Sequence, residues 1–194
     1  MKRNHLRERE EKNMCKKIRE IHNLSPAKIR EQYWKNFISP IDMVSLLRKM
    51  EIACVSVDFE RLETNLKQNK GNIHGLAYSD KDDLGILYAT DSPKEDNYVL
   101  AHELAHCCLH LPVSAEFHVE LNANEDIYVP AHRSRFRKKA YENEADAFAT
   151  ELLIPTNSLL MQLAETKTPT VKALSDYYLV PKILVQRKLN TLVK

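Results

Sequence analysis

The sequence predicts an α+β domain, in which a small mixed sheet of about three strands packs on a long helix and a helical part follows at the C-terminus. Three observations predict this class. Short β-prone runs occur between residues 52 and 90, an N-capped apolar stretch with a helical pattern covers 92–111, and helical segments separated by prolines continue from residue 136. A chain of 194 residues with 43% hydrophobic content can bury one core.

The charge distribution suggests three parts: a charged N-terminal helical extension (1–35), a core (36–155) and a C-terminal helical subregion (156–194). The extension contains eleven Lys or Arg against five acids. Its first 22 residues have charges on every face, so we expect a helix outside the core. A second basic run, HRSRFRKK at 132–139, is interpreted as solvated surface or as a docking surface for a polyanion or an acidic partner.

The N-terminal segment is charged throughout, unlike a signal peptide, and no apolar run approaches the roughly 20 residues that span a bilayer. Four cysteines form no CxxC pair and predict no disulfide framework: Cys15, Cys54, Cys107 and Cys108. We therefore expect a cytoplasmic protein with reduced thiols and no membrane partner. The adjacent pair inside the predicted long helix is interpreted as small buried packing residues.

The first elements of the core are a helix and three strands. Ser39 is the expected N-cap, with Pro40 in the first turn and Asp42 at the third position, and the helix should run to about Met50. Strands are expected at about 52–57, 72–78 and 84–90, where β-branched and aromatic residues are enriched. The SDKDD segment between the last two strands suits a hairpin turn.

A long helix should begin at Ser92, which is followed by Pro93 and a capping-box acid, and should end before Pro112. It contains the segment HELAH, which places His102 and His106 four residues apart on one face. Two imidazoles in that arrangement can hold one Zn²⁺ ion. Glu103 beside the first histidine is the natural general base for the attack of water on a peptide carbonyl.

Residues 112–135 show no sustained periodicity and predict a long loop. A further helix is expected from about Phe136 to Ile154, where Pro155 ends it. Two or three short helices should follow, with Pro181 opening the last. This tail resembles a helix-turn-helix, so direct DNA contact is an alternative to a purely structural role.

Catalytic zinc needs a third protein ligand and an open fourth position. The helix around YENEADAFATELLIP offers Glu142 and Asp146 on one face, with small alanines beside them that permit close helix packing. Glu144 differs from Glu142 by about 200° around the helix, so both cannot face one metal. We predict Glu142 as the ligand and Asp146 as the acceptor that orients a zinc histidine, with Glu144 as the alternative ligand on an otherwise solvent-facing stripe.

HELAHCCLH followed by ENEADAFATELLIP resembles the ImmA/IrrE family of gluzincin metallopeptidases. Ile154 stands where that family usually has Met, and Ala105 where Gly is frequent; neither is a ligand position. IHGLAYSDKDDLGILYAT resembles the strand pair before the family's active helix, and ALSDYYLVPKILVQRKL resembles its C-terminal helices. The resemblance therefore covers roughly residues 40–190.

The resemblance implies a zincin-like core with His102, His106 and Glu142 as zinc ligands and Glu103 as catalytic acid and base. It also implies a limited, site-specific cut in a protein substrate, a helix-turn-helix repressor of a mobile element, phage or stress regulon. Two alternatives stay open: a metal-bearing regulator that binds a repressor or DNA without cutting, and one half of a toxin–antitoxin pair.

Other polar residues near the motif have no assigned role. His110 continues the histidine spacing by one turn but lies about 12 Å along the helix from His102, so a helix-end or substrate-cleft role is favoured over ligation. Zincins need a donor near the developing oxyanion. Four side chains qualify by type, and the sequence does not separate them: Tyr128, Tyr141, His118 and His132.

Overall fold

Helices and a small sheet follow one another in the predicted order. The structure is a computed structural model, and it describes residues 16–34, 39–57, 75–79, 84–110, 120–121, 127–128, 139–166 and 168–193. Its helices are α1 (Lys16–Ile21), α2 (Pro26–Tyr33), α3 (Met43–Lys49), α4 (Pro93–Leu109), α5 (Lys139–Leu153), α6 (Thr156–Glu165), α7 (Val171–Tyr178) and α8 (Lys182–Leu192). Its strands are β1 (Ala53–Ser56), β2 (Gly75–Ser79), β3 (Leu84–Tyr88), β4 (Glu120–Leu121) and β5 (Ile127–Tyr128). The predicted α+β class is confirmed.

The main sheet has the order β1-β3-β2, with β1 parallel and β2 antiparallel to β3. It is therefore mixed, as predicted. The central strand β3 reads LGILY and is buried along most of its length, because a strand covered on both faces needs apolar side chains at consecutive positions. The predicted hairpin turn lies outside the described residues, but the antiparallel register of its two strands agrees with it.

Helix α3 begins three residues later than predicted. The N-cap is Asp42, not Ser39: the Asp42 side chain accepts a hydrogen bond from the Ser45 N–H (2.8 Å). Both residue types are good caps, so local preference did not distinguish them. A contact from outside the segment stabilises the helix start at Asp42, since the Met43 N–H in the first turn donates to the side chain of Asn97 (2.8 Å).

The long helix α4 begins as predicted, with the Ser92 side chain accepting from the Glu95 N–H and Pro93 in the first turn. It packs across the sheet and against α5. Close approach of the two helices is possible because the residues between them are small and fully buried, a set that includes Ala101, Ala105, Ala145 and Ala149.

Asn97 is a buried polar residue in the first half of α4. Its Oδ1 accepts from the Met43 N–H, and its Nδ2 donates to the carbonyl oxygens of Ile41 (2.8 Å) and Leu179 (3.1 Å). Asparagine is a poor helix former, so these three hydrogen bonds explain its position. One amide therefore joins the segment before α3, the helix α4 and the turn after α7.

Replacing this amide should destabilise the fold. Asn97→Ala leaves one N–H and two carbonyl groups without their partner, so we expect the free energy of unfolding to fall by about 2 to 4 kcal/mol. Asn157→Ala, at an exposed position of α6, is the matched control and should change it by less than about 0.5 kcal/mol. Urea denaturation followed by circular dichroism measures both. Equal midpoints for the two variants would contradict the assigned role of Asn97.

The N-terminal residues contribute to the core, in contrast to the expectation for the first 22 residues. Ile18 and Ile21 of α1 are buried, and the Asn23 N–H donates to the carbonyl oxygen of Cys108 at the end of α4 (3.0 Å). The many charges around Ile18 and Ile21 made this short apolar face of α1 difficult to predict from the sequence. Residues 1–15 lie outside the described part, and the division into three parts at 35 and 155 stays a prediction.

The C-terminal helices share the same hydrophobic core. Tyr178, Leu184 and Val185 are buried in it, and Leu179 adopts a left-handed conformation (φ 53°) in the turn between α7 and α8. Tyr178, Leu184 and Val185 of the helix-turn-helix-like tail are therefore packing residues, whereas Tyr177 is 39% exposed. Direct DNA contact by the tail stays an open alternative.

The predicted loop at 112–135 is described only at β4 and β5, which form a short antiparallel ladder that the sequence did not predict. The basic run at 132–139 is described only at Lys139, so its interpretation stays open. Among the described residues, no helix is both long and apolar enough to span a membrane. Cys54, Cys107 and Cys108 are free thiols, and the latter two are buried, as expected.

Candidate metal centre and active site

Two histidines of α4 face the same side of the helix. The Nε2 atoms of His102 and His106 lie 3.0 Å apart, and the two rings meet edge to face. The four-residue spacing produces this arrangement, because residues four apart lie one above the other on a helix. Both side chains are largely buried but remain partly accessible to solvent.

Glu142 of α5 completes the cluster. Its Oε2 lies 3.3 Å from His102 Nε2, and its Oε1 lies 3.7 Å from His106 Nε2. Tetrahedral zinc with bonds of about 2.0–2.2 Å separates neighbouring ligand atoms by about 3.4 Å. The observed separations of 3.0, 3.3 and 3.7 Å lie on either side of that value, with the two imidazoles nearest to different oxygens of Glu142. Two imidazoles and one carboxylate are also a donor set that leaves a fourth position open, so these residues fit a catalytic zinc ion.

Glu144 faces a different neighbour, as the helical angle between it and Glu142 predicts. Its Oε2 lies 3.0 Å from His110 Nε2. Among the described residues, the cluster that could hold a metal ion consists of His102, His106 and Glu142, and Glu144 is not part of it. The side chains of Glu144 and Glu151 are 58% and 43% exposed, in agreement with the predicted solvent-facing stripe, although Glu144 also contacts His110 and Glu151 also contacts Lys188 and Thr156.

Asp146 lies behind His102, one turn after Glu142 on α5. Its Oδ1 is 3.0 Å from the buried Nδ1 of His102, and it accepts a hydrogen bond from the Tyr98 hydroxyl (2.5 Å). Arg187 of α8 approaches the other oxygen at 3.7 Å. The contact with His102 lowers the pKa of Asp146, with Tyr98 and Arg187 adding to the effect. Asp146 is therefore a carboxylate that can orient His102.

The pKa values of the two histidines differ because their neighbours differ. Burial and the proximity of His102 and His110 lower the pKa of His106 to about 3. Burial also acts to lower the pKa of His102, but Asp146, Glu103 and Glu142 outweigh it, so the net shift is upward. His106 is thus a neutral imidazole at physiological pH, the form in which histidine binds a metal.

Glu103 lies beside these ligands and is held against the sheet. Its Oε2 accepts a hydrogen bond from the backbone N–H of Ala77 in β2 (3.0 Å). Gly75 in the same strand leaves the space for it: a Cβ at that position would lie 2.7 Å from Glu103 Cγ, 2.7 Å from Val99 Cγ1 and 2.9 Å from Glu103 Oε1. Strand β2 therefore sets the position of the predicted general base.

A side chain at position 75 should displace this base. We expect Gly75→Ala to lower the rate of peptide cleavage by about 10²-fold at unchanged zinc affinity, because a shift of about 1 Å in a reacting group has an effect of that size. Gly85→Ala is the matched control, since its Cβ meets the ring of Tyr78 and not Glu103. Both variants should lose stability, but Gly85→Ala should retain activity per folded molecule. An equal loss of activity in both would contradict this account.

Of the four predicted oxyanion donors, the structure describes the side chain of Tyr141. His118 and His132 lie outside the described residues, as does the side chain of Tyr128. Tyr141 stacks on His110, with ring centroids 4.6 Å apart. Tyr98 and Arg187, which contact Asp146, and Gly75, which makes room for Glu103, were not predicted from the sequence. Tyr98 precedes His102 by four residues, and that spacing was a signal that it shares the metal face.

A helix with a His-Glu-x-x-His motif, whose two histidines meet a glutamate from the next long helix, defines a site of the metallopeptidase class. Comparison with known proteins gives the family. Residues 62–190 match the IrrE N-terminal-like domain of the Peptidase_M78 family, and the chain belongs to that family. It is also 25% identical to Metallopeptidase ImmA of Bacillus subtilis (strain 168) over 126 residues. The aligned region covers 64% of this chain and 68% of the relative. The predicted family is confirmed, and both comparisons support a metallopeptidase.

Proposed function

We propose that this chain is a zinc-dependent endopeptidase that makes a limited, site-specific cut in a protein substrate, a helix-turn-helix transcriptional repressor. The observation that carries the proposal is the convergence of the His102, His106 and Glu142 ligand atoms, which all lie within 4.8 Å of one another next to Glu103. The family and the metallopeptidase relative support peptide-bond hydrolysis. The repressor substrate is supported by the family resemblance alone.

In this proposal His102, His106 and Glu142 hold the zinc ion. Zinc bound there would polarise the scissile carbonyl and lower the pKa of a water molecule. Glu103 takes the proton of the attacking water on a carboxylate oxygen and later delivers it to the nitrogen of the leaving amine. Asp146 keeps His102 oriented, and the hydrogen bond from the Ala77 N–H keeps Glu103 against β2.

We place the reaction in the cytoplasm, where transcriptional repressors act. The buried free thiols of Cys107 and Cys108 suit a reducing compartment, and burial raises the pKa of both well above its ordinary value. They are thus inert packing groups and not candidates for a catalytic thiolate.

The proposal is tested with the purified chain and the helix-turn-helix repressor encoded nearest to its gene. With one equivalent of zinc, we expect mass spectrometry to show two fragments from a single cut. Removal of the metal by a chelator should abolish cleavage, because the zinc ion is the Lewis acid that polarises the scissile carbonyl in this proposal. Readdition of zinc should restore it.

The same assay separates the two main hypotheses. A repressor that binds the chain but stays intact at every zinc concentration would refute the peptidase and favour the non-cleaving regulator. Replacement of zinc by magnesium is the matched metal control, since two imidazole ligands favour zinc and magnesium prefers oxygen ligands. Cleavage supported equally by magnesium would contradict the zinc assignment.

A further inference from the structure

His110 is a buried histidine that the proposed mechanism does not use. It is the C-cap residue of α4, one turn beyond His106 and on the same face. Its Nδ1 lies 2.8 Å from the Nδ1 of His106, a hydrogen-bond distance between two ring nitrogens. The partner of His106 on the side away from the metal position is therefore another histidine and not a carboxylate.

Helix α5 provides the next contact. Glu144 Oε2 lies 3.0 Å from the Nε2 of His110, and the ring of Tyr141 stacks on the ring of His110 at an angle of 23°. The imidazole of His110 is thus fixed in its plane by stacking and along its edge by a carboxylate. We name His106, His110 and Glu144 together the histidine relay.

The hydrogen bonds of the relay have one consistent direction. A carboxylate accepts but cannot donate, so His110 carries its proton on Nε2 and donates to Glu144. With its proton on Nε2, His110 offers Nδ1 as an acceptor, and His106 donates to it from its own Nδ1. This assignment leaves the lone pair of His106 on Nε2, which is the atom that faces His102 and Glu142.

We propose that His110 is a positioning residue, which together with Glu144 fixes the tautomer and ring orientation of His106 for metal binding. This inference rests on the proposed zinc site. The two ligand histidines are then supported in different ways: His102 directly by Asp146, and His106 by a carboxylate acting through an intervening imidazole. Such outer partners keep a ligand histidine oriented and raise its basicity.

Zinc affinity of the full chain, measured by competition with a chromophoric chelator, tests the relay without any substrate. His110→Phe keeps an aromatic ring against Tyr141 but removes the acceptor, so we expect zinc affinity to fall by about 10- to 100-fold. His110→Asn retains an acceptor oxygen near the Nδ1 position and should recover part of that loss. Glu144→Gln should weaken zinc binding less than His110→Phe does.

The double variant distinguishes a relay from separate structural effects. If Glu144 acts through His110, then Glu144→Gln should change zinc affinity by less than about twofold in the His110→Phe background. Glu165→Gln, at an exposed position near the end of α6, is the matched control and should leave zinc affinity unchanged. Unfolding of the metal-free variants measures any loss of stability separately.

Histidine ¹⁵N NMR of the metal-free protein gives a second readout that depends on the tautomer. His106 should be protonated at Nδ1 in the wild type and should lose that preference in His110→Phe. Unchanged zinc affinity in His110→Phe, or independent effects of the two substitutions, would overturn the relay. A wild-type chain that binds no zinc would instead refute the proposed metal centre, so the two failures are distinguishable.

Discussion

Glu103→Gln is expected to abolish cleavage of the repressor while zinc stays bound. Positioned general bases contribute about 10²- to 10⁴-fold to a rate, and this carboxylate is the candidate base of the proposed site. Glutamine has the same shape, so the hydrogen bond from the Ala77 N–H can persist, and the packing against Gly75 is retained. The amide cannot take a proton from water at neutral pH, and that loss alone should remove the activity.

The measurement is the initial rate of cleavage by the zinc-loaded variant, together with its zinc content. Glu95→Gln is the control, because it makes the same chemical change two turns earlier on α4, away from the metal position. We expect it to cleave at close to the wild-type rate. Undiminished cleavage by Glu103→Gln would refute the assigned base, and loss of zinc from it would show a structural effect in place of a chemical one.

The second large effect is expected for Glu142→Ala. Its carboxylate is the one that lies 3.3 Å and 3.7 Å from the two histidine Nε2 atoms. Loss of a ligand should weaken zinc binding by more than the roughly 10- to 100-fold that loss of an orienting partner causes. Cleavage should fall below detection at stoichiometric zinc, because the two histidines alone do not form a catalytic site.

Glu144→Ala is the matched comparison, since it removes the same side chain two residues away on α5. We expect it to weaken zinc binding far less, because its carboxylate contacts His110 and not the ligand cluster. Competition with a chelator measures both affinities under one set of conditions. A larger loss for Glu144→Ala than for Glu142→Ala would reverse the assignment of the third ligand.

The elements of the fold that were predicted well are those with local signals. Ser92 and Pro93 mark the start of α4, Pro155 marks the end of α5, and the apolar run of β3 identifies a strand. The start of α3 was missed because Ser39 and Asp42 are both good caps. Its position depends on a hydrogen bond to Asn97, 54 residues further along the chain, which no local pattern contains.

The candidate site likewise has features that follow from local sequence spacing and features that depend on contacts between distant segments. The convergence of His102 and His106 follows from helical spacing, and the angle between Glu142 and Glu144 shows that the two must face different neighbours. Contacts between distant segments did not follow from the sequence. Arg187 reaches Asp146 from the last helix, and Gly75 makes room for Glu103 from a strand, because the tertiary packing brings those segments together.

Because of the hydrogen bonds of the Asn97 amide, position 97 should tolerate substitution less well than the positions of its three partners. Its partners at positions 41, 43 and 179 offer backbone atoms, which nearly every amino acid has, so the side chains there can change without loss of the three hydrogen bonds. Proline at position 43 is the exception, because it has no N–H. Position 97 itself needs a side chain that both donates and accepts at short reach. Over evolutionary time, the three partner positions can therefore drift while asparagine at position 97 should persist.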